Sequence, residues 1–113
     1  MRKAAVYRNE ILAGFLSEED ENKYVFRYED NYFSDKELPS ISLTLSKSQQ
    51  EYQSKYLFPF FYNMLSEGVN RKVQTQQLRI DENDDFGLLL ATAQYDTIGA
   101  ISIKPIKENN YDQ

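Results

Sequence analysis

The stretch AAVYRNEILAGFLSEE, residues 4–19, decides the fold because it predicts two strands joined by a tight turn. Two apolar runs, Ala4–Tyr7 and Ile11–Leu16, flank the polar triplet RNE. Asparagine tolerates the left-handed backbone that short hairpin turns require, so the sequence predicts an antiparallel β-hairpin here. Gly14 interrupts the second run and is typical of a β-bulge or of a close backbone contact.

The remainder of the first half also predicts strands. Residues 18–23 form a polar turn, and the following run KYVFRYED places Tyr24, Phe26 and Tyr28 on one face of a third strand. The run NYFSDKELPS is expected to be irregular, with one helical turn. The run SISLTLS, residues 40–46, alternates apolar and hydroxyl-bearing residues. This alternation predicts another strand whose inward side chains are Ile41, Leu43 and Leu45.

The second half of the chain changes to helical spacing. The run YLFPFFYNMLSEG, residues 56–68, predicts a helix with Pro59 in its first turn and Gly68 as its C-terminal cap. The run VNRKVQTQQLRI predicts a second short helix, in which three apolar residues are loosely spaced: Val69, Val73 and Leu78.

The stretch DENDDFGLLLATA, residues 81–93, predicts one more helix. Asp84 or Asp85 can accept the first free backbone N–H groups of that helix. Its inward face is expected to carry four residues: Phe86, Leu89, Leu90 and Ala93. The run TIGAISIKP, residues 97–105, predicts a final strand.

This order of elements predicts an α+β fold with a small antiparallel sheet of about five strands and two to three short helices. We expect a single domain over residues 1–105, followed by a polar C-terminal tail at 106–113. The chain has 113 residues, of which 41% are hydrophobic and 14% aromatic, which is enough apolar surface for a real core.

The composition removes several classes of function. The sequence contains neither Cys nor His, which excludes disulfides, thiolate metal sites and Ser-His or Cys-His nucleophile pairs. The net charge of −5 disfavours direct binding to nucleic acid. No apolar run has the length of a signal peptide or a membrane span, so a soluble cytoplasmic protein is expected, without membrane contact.

The triplet Asp85-Phe86-Gly87 has the letters of the kinase motif that holds magnesium. A kinase also needs a glycine-rich phosphate loop and a catalytic loop that contains histidine, and this sequence has neither. We therefore interpret Asp85 as a helix cap and Phe86 as a core residue. No catalytic residue and no cofactor is predicted.

The same stretch partly matches a calcium-binding EF-hand loop, with Asp81, Asn83 and Asp85 at the first, third and fifth positions. The required glycine is replaced by Phe86, and the required bidentate glutamate is replaced by Thr92. No metal site is predicted here, because both departures fall at the stringent positions of the loop.

The run YLFPFFY, residues 56–62, holds five aromatic residues in seven positions. They cannot all face one core from one short helix. The simpler interpretation is a core contribution with tyrosines whose hydroxyls reach solvent, and the alternative is that some rings contact a partner.

Five segments in the right order resemble the N-terminal subdomain of the HipA family, and together they cover residues 7–105. The run LFPFFYNMLSEGVNRK resembles that family's F-F-x-N-L-L-P-E/D-G/S region, although Ser66 replaces the usual proline. The family's opening strands, which end in G-x-L, resemble the run VYRNEILAGFLSEE. The family's F-x-Y segment resembles YVFRYEDNYF, and its P-x-S-x-S-L-P segment resembles PSISLTLS. DDFGLLLATAQYDTIGAISIKP resembles the closing stretch written D-x-F-x-L-L…G-x-D-x-x-G-A.

In full-length HipA-like proteins this subdomain precedes a serine/threonine kinase core. The chain ends at Gln113, and split systems of the family pair such a small protein with a separate kinase and a helix-turn-helix DNA-binding protein. The resemblance therefore implies a non-catalytic partner that binds a HipA-like kinase subunit and neutralises or regulates it. An alternative is a structural scaffold that assembles the kinase with its DNA-binding partner without inhibiting it. A small enzyme or metal-binding protein is the third, remote hypothesis.

The expected contact with the kinase is the segment after the aromatic helix, supported by three aromatic residues, with Glu67 and Arg71 as polar rim contacts. An equally simple interpretation is that Glu67 and Gly68 only end a helix. The full set of candidate partner-binding residues is Tyr56, Phe58, Tyr62, Ser66, Glu67, Gly68, Val69, Asn70, Arg71 and Lys72.

Overall fold

The N-terminal hairpin forms as the sequence predicts. The computed structural model describes residues 2–20, 22–65, 67–92 and 100–106. Strand β1 spans Arg2–Arg8 and strand β2 spans Ile11–Asp20. Asn9 and Glu10 join them with φ angles of 49° and 67°. Positive φ at both central residues is the signature of a type I′ turn, whose twist matches that of the flanking strands.

In the described part of the chain, all paired strands are antiparallel. The order across the five-stranded sheet is β4-β3-β2-β1-β5, so the hairpin lies at its centre. Strand β3 spans Lys23–Tyr28, β4 spans Glu51–Ser54 and β5 spans Ile101–Ile106. The predicted α+β class and the predicted sheet are confirmed.

Four helices accompany the sheet in the described ranges, one more than the two to three expected. They are α1 (Asp30–Ser34), α2 (Pro59–Tyr62), α3 (Gly68–Leu78) and α4 (Asp85–Thr92). The additional helix is α1, which corresponds to the single helical turn predicted in an irregular segment. Glu29 caps it, because its carboxylate accepts hydrogen bonds from the backbone N–H groups of Asn31 and Tyr32 at 3.0 Å.

Gly14 lies beside an irregularity in the β1–β2 register, where Val6 pairs with Gly14 but Tyr7 pairs with Leu12. Ala13 is therefore the extra residue of a β-bulge. A Cβ atom on Gly14 would lie 2.5 Å from the carbonyl oxygen of Arg27 on β3. The bulge and the close contact predicted for this glycine are both present.

The prediction of a strand at residues 40–46 is wrong. This segment is irregular, and the fourth strand of the sheet is Glu51–Ser54 instead. Ile41 and Leu45 are buried as predicted, whereas Leu43 is 99% exposed. The tertiary cause is the buried hydroxyl of Tyr28, which accepts a hydrogen bond from the Ile41 backbone N–H and donates one to the Leu45 carbonyl. The segment therefore folds around one phenol group instead of pairing with a strand.

The helix predicted over residues 56–68 is also shorter than expected. Helix α2 is one turn long, with Pro59 in its first turn as predicted. Gly68 does not cap its C-terminus but begins α3, with a φ of 61°. In α3 the predicted apolar residues are exposed, and the buried residue is Thr75.

The core lies between one face of the sheet and the helices. Inward residues of the strands form one cluster with buried side chains of α1, α2 and α4, among them Phe26, Phe61 and Phe86, which are fully buried. Phe86 and Leu89 are buried and Leu90 is partly buried as predicted, and Leu88 is buried in addition. Ala93 and residues 97–99 of the predicted final strand lie outside the described residues.

No helix in the described ranges is long and apolar enough to cross a membrane.

Candidate docking groove

The loop before α4 is tied to the start of the chain by Arg2. The Arg2 guanidinium donates to both carboxylate oxygens of Asp84, at 2.9 and 2.8 Å, and to Glu18 Oε1 at 2.9 and 2.6 Å. Its Cζ atom also lies 5.4 Å from the centroid of the Phe86 ring. One arginine therefore connects β1, β2 and the beginning of α4 through paired contacts of the strong, charge-assisted kind.

Asp84 also caps α4, because its Oδ1 atom accepts a hydrogen bond from the Gly87 backbone N–H at 3.0 Å. The Arg2 hydrogen bonds hold the pKa of the Asp84 carboxyl below its ordinary value, and they outweigh the opposite effect of burial. Burial, followed by the nearby Glu18 carboxylate, raises the pKa of the Tyr24 hydroxyl to about 12. Asp84 is therefore charged and the Tyr24 hydroxyl neutral at pH 7.

Arg71 of α3 holds the other side of the same loop. Its guanidinium donates to Asp85 Oδ1 at 2.5 Å and to the Glu82 carbonyl oxygen at 3.0 and 2.7 Å. Only 13% of the Arg71 side chain is exposed. Asp84 is therefore the helix cap, and the interpretation of Asp85 as the cap is wrong, because Asp85 pairs with Arg71 and fixes α4 against α3.

These contacts shape a polar groove of about 420 Å³ between α3 and the loop before α4, which we call the docking groove. The Arg71–Asp85 pair and two further acidic residues, Glu67 and Glu82, are part of its lining. Carboxylate oxygens can accept hydrogen bonds from a lysine or arginine of another protein. The lining residues are Tyr62, Glu67, Gly68, Arg71, Glu82, Asn83 and Asp85.

Four of the candidate partner-binding residues line this groove: Tyr62, Glu67, Gly68 and Arg71. Three more, Val69, Asn70 and Lys72, are exposed on the first turns of α3. The Arg71 guanidinium is already paired with Asp85 and the Glu82 carbonyl oxygen, and its expected role as a polar rim contact stays a prediction.

The remaining candidates lie elsewhere. Phe58 is 7% exposed and belongs to the core cluster, so its ring is not available to a partner. Tyr56 is 77% exposed but does not line the groove. Ser66 lies outside the described residues. Sequence reasoning did not assign Glu82, Asn83 and Asp85 to this surface, because only the fold places the loop before α4 against α3. The signal available in the sequence was the opposite charge of Arg71 and Asp85.

Residues of the Asp-Phe-Gly triplet, which also overlaps the partial EF-hand match, have structural roles. Asp85 of the Asp-Phe-Gly triplet pairs with Arg71, and Phe86 is fully buried as interpreted from the sequence. Within the described ranges, no three carboxylates come close enough together to hold a metal ion.

Comparisons with known proteins identify relatives over nearly the whole chain. The family model described as the HipA N-terminal domain matches residues 4–104. An uncharacterized protein of Haemophilus influenzae (strain ATCC 51907 / DSM 11121 / KW20 / Rd) is 31% identical over 93 residues, which cover 82% of this chain and 83% of that protein. The solved structure of the N-terminal domain of HipA toxin superimposes with a TM-score of 0.71 at 24% identity, covering 96% of each chain. At that identity, the structural match shows a shared fold.

Proposed function

This chain belongs to the HipA N-terminal domain family, and on that premise we propose that it is a non-catalytic interaction protein of a HipA-type toxin–antitoxin system. In this proposal it binds a separate serine/threonine kinase subunit and neutralises or regulates it. Family membership carries the proposal, because the matched range begins in β1 and ends in β5 and so takes in the whole sheet.

The Haemophilus relative supports the idea of a separate small subunit. The match covers 83% of that protein and 82% of this chain, so the two have about the same length. The relative is therefore itself a small protein of about the size of this chain.

The proposed kinase-binding surface combines the docking groove with the exposed face of α3. Val69 is 76% exposed and Val73 is 44% exposed, and they lie four residues apart on one face of the helix. Tyr62 is 41% exposed at the side of the groove. Exposed apolar side chains next to carboxylates fit the pattern of an apolar contact centre with a polar rim. Asn70 and Lys72, which are exposed on α3, belong to the same proposed surface, whereas Tyr56 does not line the groove.

Co-expression with a HipA-type kinase from the same genome tests the proposal. We expect the two chains to co-purify and this chain to reduce the autophosphorylation and toxicity of the kinase. A chain that neither co-purifies with the kinase nor changes its toxicity would contradict the proposal.

The scaffold alternative makes a different prediction in the same experiment. A scaffold subunit would co-purify with the kinase but leave its activity unchanged or increased. Adding the helix-turn-helix DNA-binding protein then shows whether the three chains form one complex and whether that complex requires this chain.

Substitution of Val69 by Asp tests the surface. We expect V69D to weaken binding to the kinase by about 1–2 kcal/mol, because it places a charge at the centre of an apolar contact. Leu43→Asp is the control, since Leu43 is an exposed apolar residue, at 99% against 76% for Val69, and lies in the 40–46 loop and not on α3. The affinity for the kinase, measured by calorimetry, should fall for V69D and stay unchanged for L43D. Equal losses in the two variants would show that α3 is not part of the interface.

A further inference from the structure

The sheet has a second face, and the buried apolar side chains of the described helices all belong to the core cluster on the first one. The core cluster contains the inward residues of the strands and the buried side chains of α1, α2 and α4. Several at least partly exposed residues of β1, β2 and β5 lie outside that cluster on this second face. Five of them form what we call the aromatic–lysine face: Lys3, Tyr7, Phe15, Lys104 and Ile106.

The strand register brings these residues together. Lys3 of β1 is opposite Ile106 of β5, and Ala5 is opposite both Phe15 of β2 and Lys104 of β5. All five therefore lie within three neighbouring strands on one side of the sheet.

The two lysines cover the two aromatic rings. The Nζ atom of Lys3 lies 5.0 Å from the centroid of the Phe15 ring, and the Nζ atom of Lys104 lies 5.2 Å from the centroid of the Tyr7 ring. Such cation–π contacts hold an ammonium group above an apolar base while leaving it hydrated on its other side.

The charge of this face is opposite to that of the chain as a whole. Among the described residues, neither Lys3 nor Lys104 forms a salt bridge, whereas Arg27 on the same side of the sheet lies 3.6 Å from Asp30 and 3.7 Å from Glu51. The five residues of the face thus include two lysines and no acidic residue, on a chain with a net charge of −5.

We propose that the aromatic–lysine face binds an acidic segment of a partner protein, with carboxylates on Lys3 and Lys104 and apolar side chains against Phe15, Tyr7 and Ile106. Charge complementarity selects this occupant. Nucleic acid fits less well, because the lysines already cover the rings on which bases would stack and the net charge repels phosphates. The docking groove lies between α3 and the loop before α4, and it shares no residue with the aromatic–lysine face.

An NMR titration of the isotope-labelled full chain tests this inference without the kinase. The probe is a short synthetic peptide in which glutamate alternates with leucine and serine. We expect amide shifts concentrated in β1, β2 and β5, which decrease as salt is added because the contact is partly ionic. Oligothymidylate and unlabelled chain are titrated in parallel.

Lys104→Glu and Lys36→Glu form a matched pair, since both lysines are exposed and both substitutions change the net charge equally. We expect K104E to weaken peptide binding about fivefold, the size of one lost surface ion pair, and K36E to leave it unchanged. Lys104→Arg should retain binding. Far-ultraviolet circular dichroism confirms that each variant is folded.

Four outcomes would overturn the inference. The first is that the peptide causes shifts outside the aromatic–lysine face, or no shifts at all. The second is that oligothymidylate binds more tightly than the peptide, and the third is that unlabelled chain alone shifts this face. The fourth is that K104E and K36E lose the same affinity for the peptide. None of these outcomes concerns binding to the kinase, so the proposed function is tested independently of this inference.

Discussion

Two glycines show how one residue type is required for two different reasons. Gly14 is needed for space, because an added Cβ atom would lie 2.5 Å from the Arg27 carbonyl oxygen and 2.9 Å from the Phe26 ring. Gly68 is needed for backbone conformation, because its φ is 61° while no atom lies within 4 Å of an added Cβ. The sequence predicted the bulge or close contact at Gly14 but assigned Gly68 to the wrong helix end, since a left-handed glycine is most often a C-terminal cap.

Alanine substitutions separate these two reasons. We expect Gly68→Ala to reduce the free energy of unfolding by about 1 kcal/mol, the cost of the left-handed conformation for a residue with a side chain. Gly14→Ala should cost more, about 2–3 kcal/mol, because backbone atoms on β3 must also move. Urea unfolding monitored by circular dichroism measures both, and the reverse order would contradict this account.

The hydroxyl of Tyr28 organises the loop at residues 40–46. Tyr28→Phe would leave the Ile41 backbone N–H and the Leu45 carbonyl without their partner in a buried environment. We expect a loss of about 1–3 kcal/mol in the free energy of unfolding.

Tyr32→Phe is a suitable control. Among the described residues, the Tyr32 hydroxyl makes one hydrogen bond, donated to the Pro39 carbonyl oxygen at 2.7 Å at a less buried position, whereas the Tyr28 hydroxyl makes two. Hydrogen exchange should become faster at the Ile41 amide in the Tyr28 variant alone. An unchanged exchange rate there would show that the loop does not depend on the phenol.

At the scale of the element, the central hairpin carries a turn that is not optimal. Asn9 suits the left-handed region, but Glu10, with a φ of 67°, does not. The strands on either side form in spite of it, because β1 is paired on both edges, with β2 and with β5. Pairing and burial of the strands therefore determine that the hairpin forms, and the turn residues only need to be compatible with it.

Glu10→Gly should stabilise the protein. The variant has the Asn-Gly sequence that type I′ turns favour most, and we expect a gain of about 0.5–1 kcal/mol in the free energy of unfolding. Glu10→Ala removes the same carboxylate but keeps the conformational cost, so it should give no gain. Thermal unfolding of the three proteins distinguishes them, and an equal gain in both variants would point to charge rather than backbone conformation.

At the scale of the whole molecule, Arg2 joins the first strand to the last helix through Asp84. Because the pKa of Asp84 is lowered in the folded state, its charged form contributes stability that is fully present above the pKa of the unfolded chain, about 4. That contribution is lost as the pH falls through the lower pKa of the folded protein. Stability should therefore decrease below about pH 4 in part through this contact.

Asp84→Asn tests this linkage while keeping a side chain that can still cap α4. Since both partners are partly exposed, we expect a loss of only about 1 kcal/mol at pH 7, together with a weaker pH dependence of the free energy of unfolding in acid. Glu37→Gln removes an exposed carboxylate without a salt bridge among the described residues, and its pH profile should match the wild type. A D84N profile as steep as that of the wild type would contradict the prediction.

The amino-acid sequence by itself determined the fold class, the central hairpin, the aromatic face of β3, the capping of α4 by an aspartate and the family. These features follow from patterns within short segments, namely alternation, turn residues and capping residues, whose physics is local. The position of the fourth strand, the break between α2 and α3 and the docking groove were decided only by the tertiary structure. Two of these depend on a contact between residues distant in the chain: the fourth strand on Tyr28 with the 40–46 loop, and the groove on Arg71 with Glu82 and Asp85. A linear pattern does not specify such contacts, because they form only after the sheet and the helices have packed.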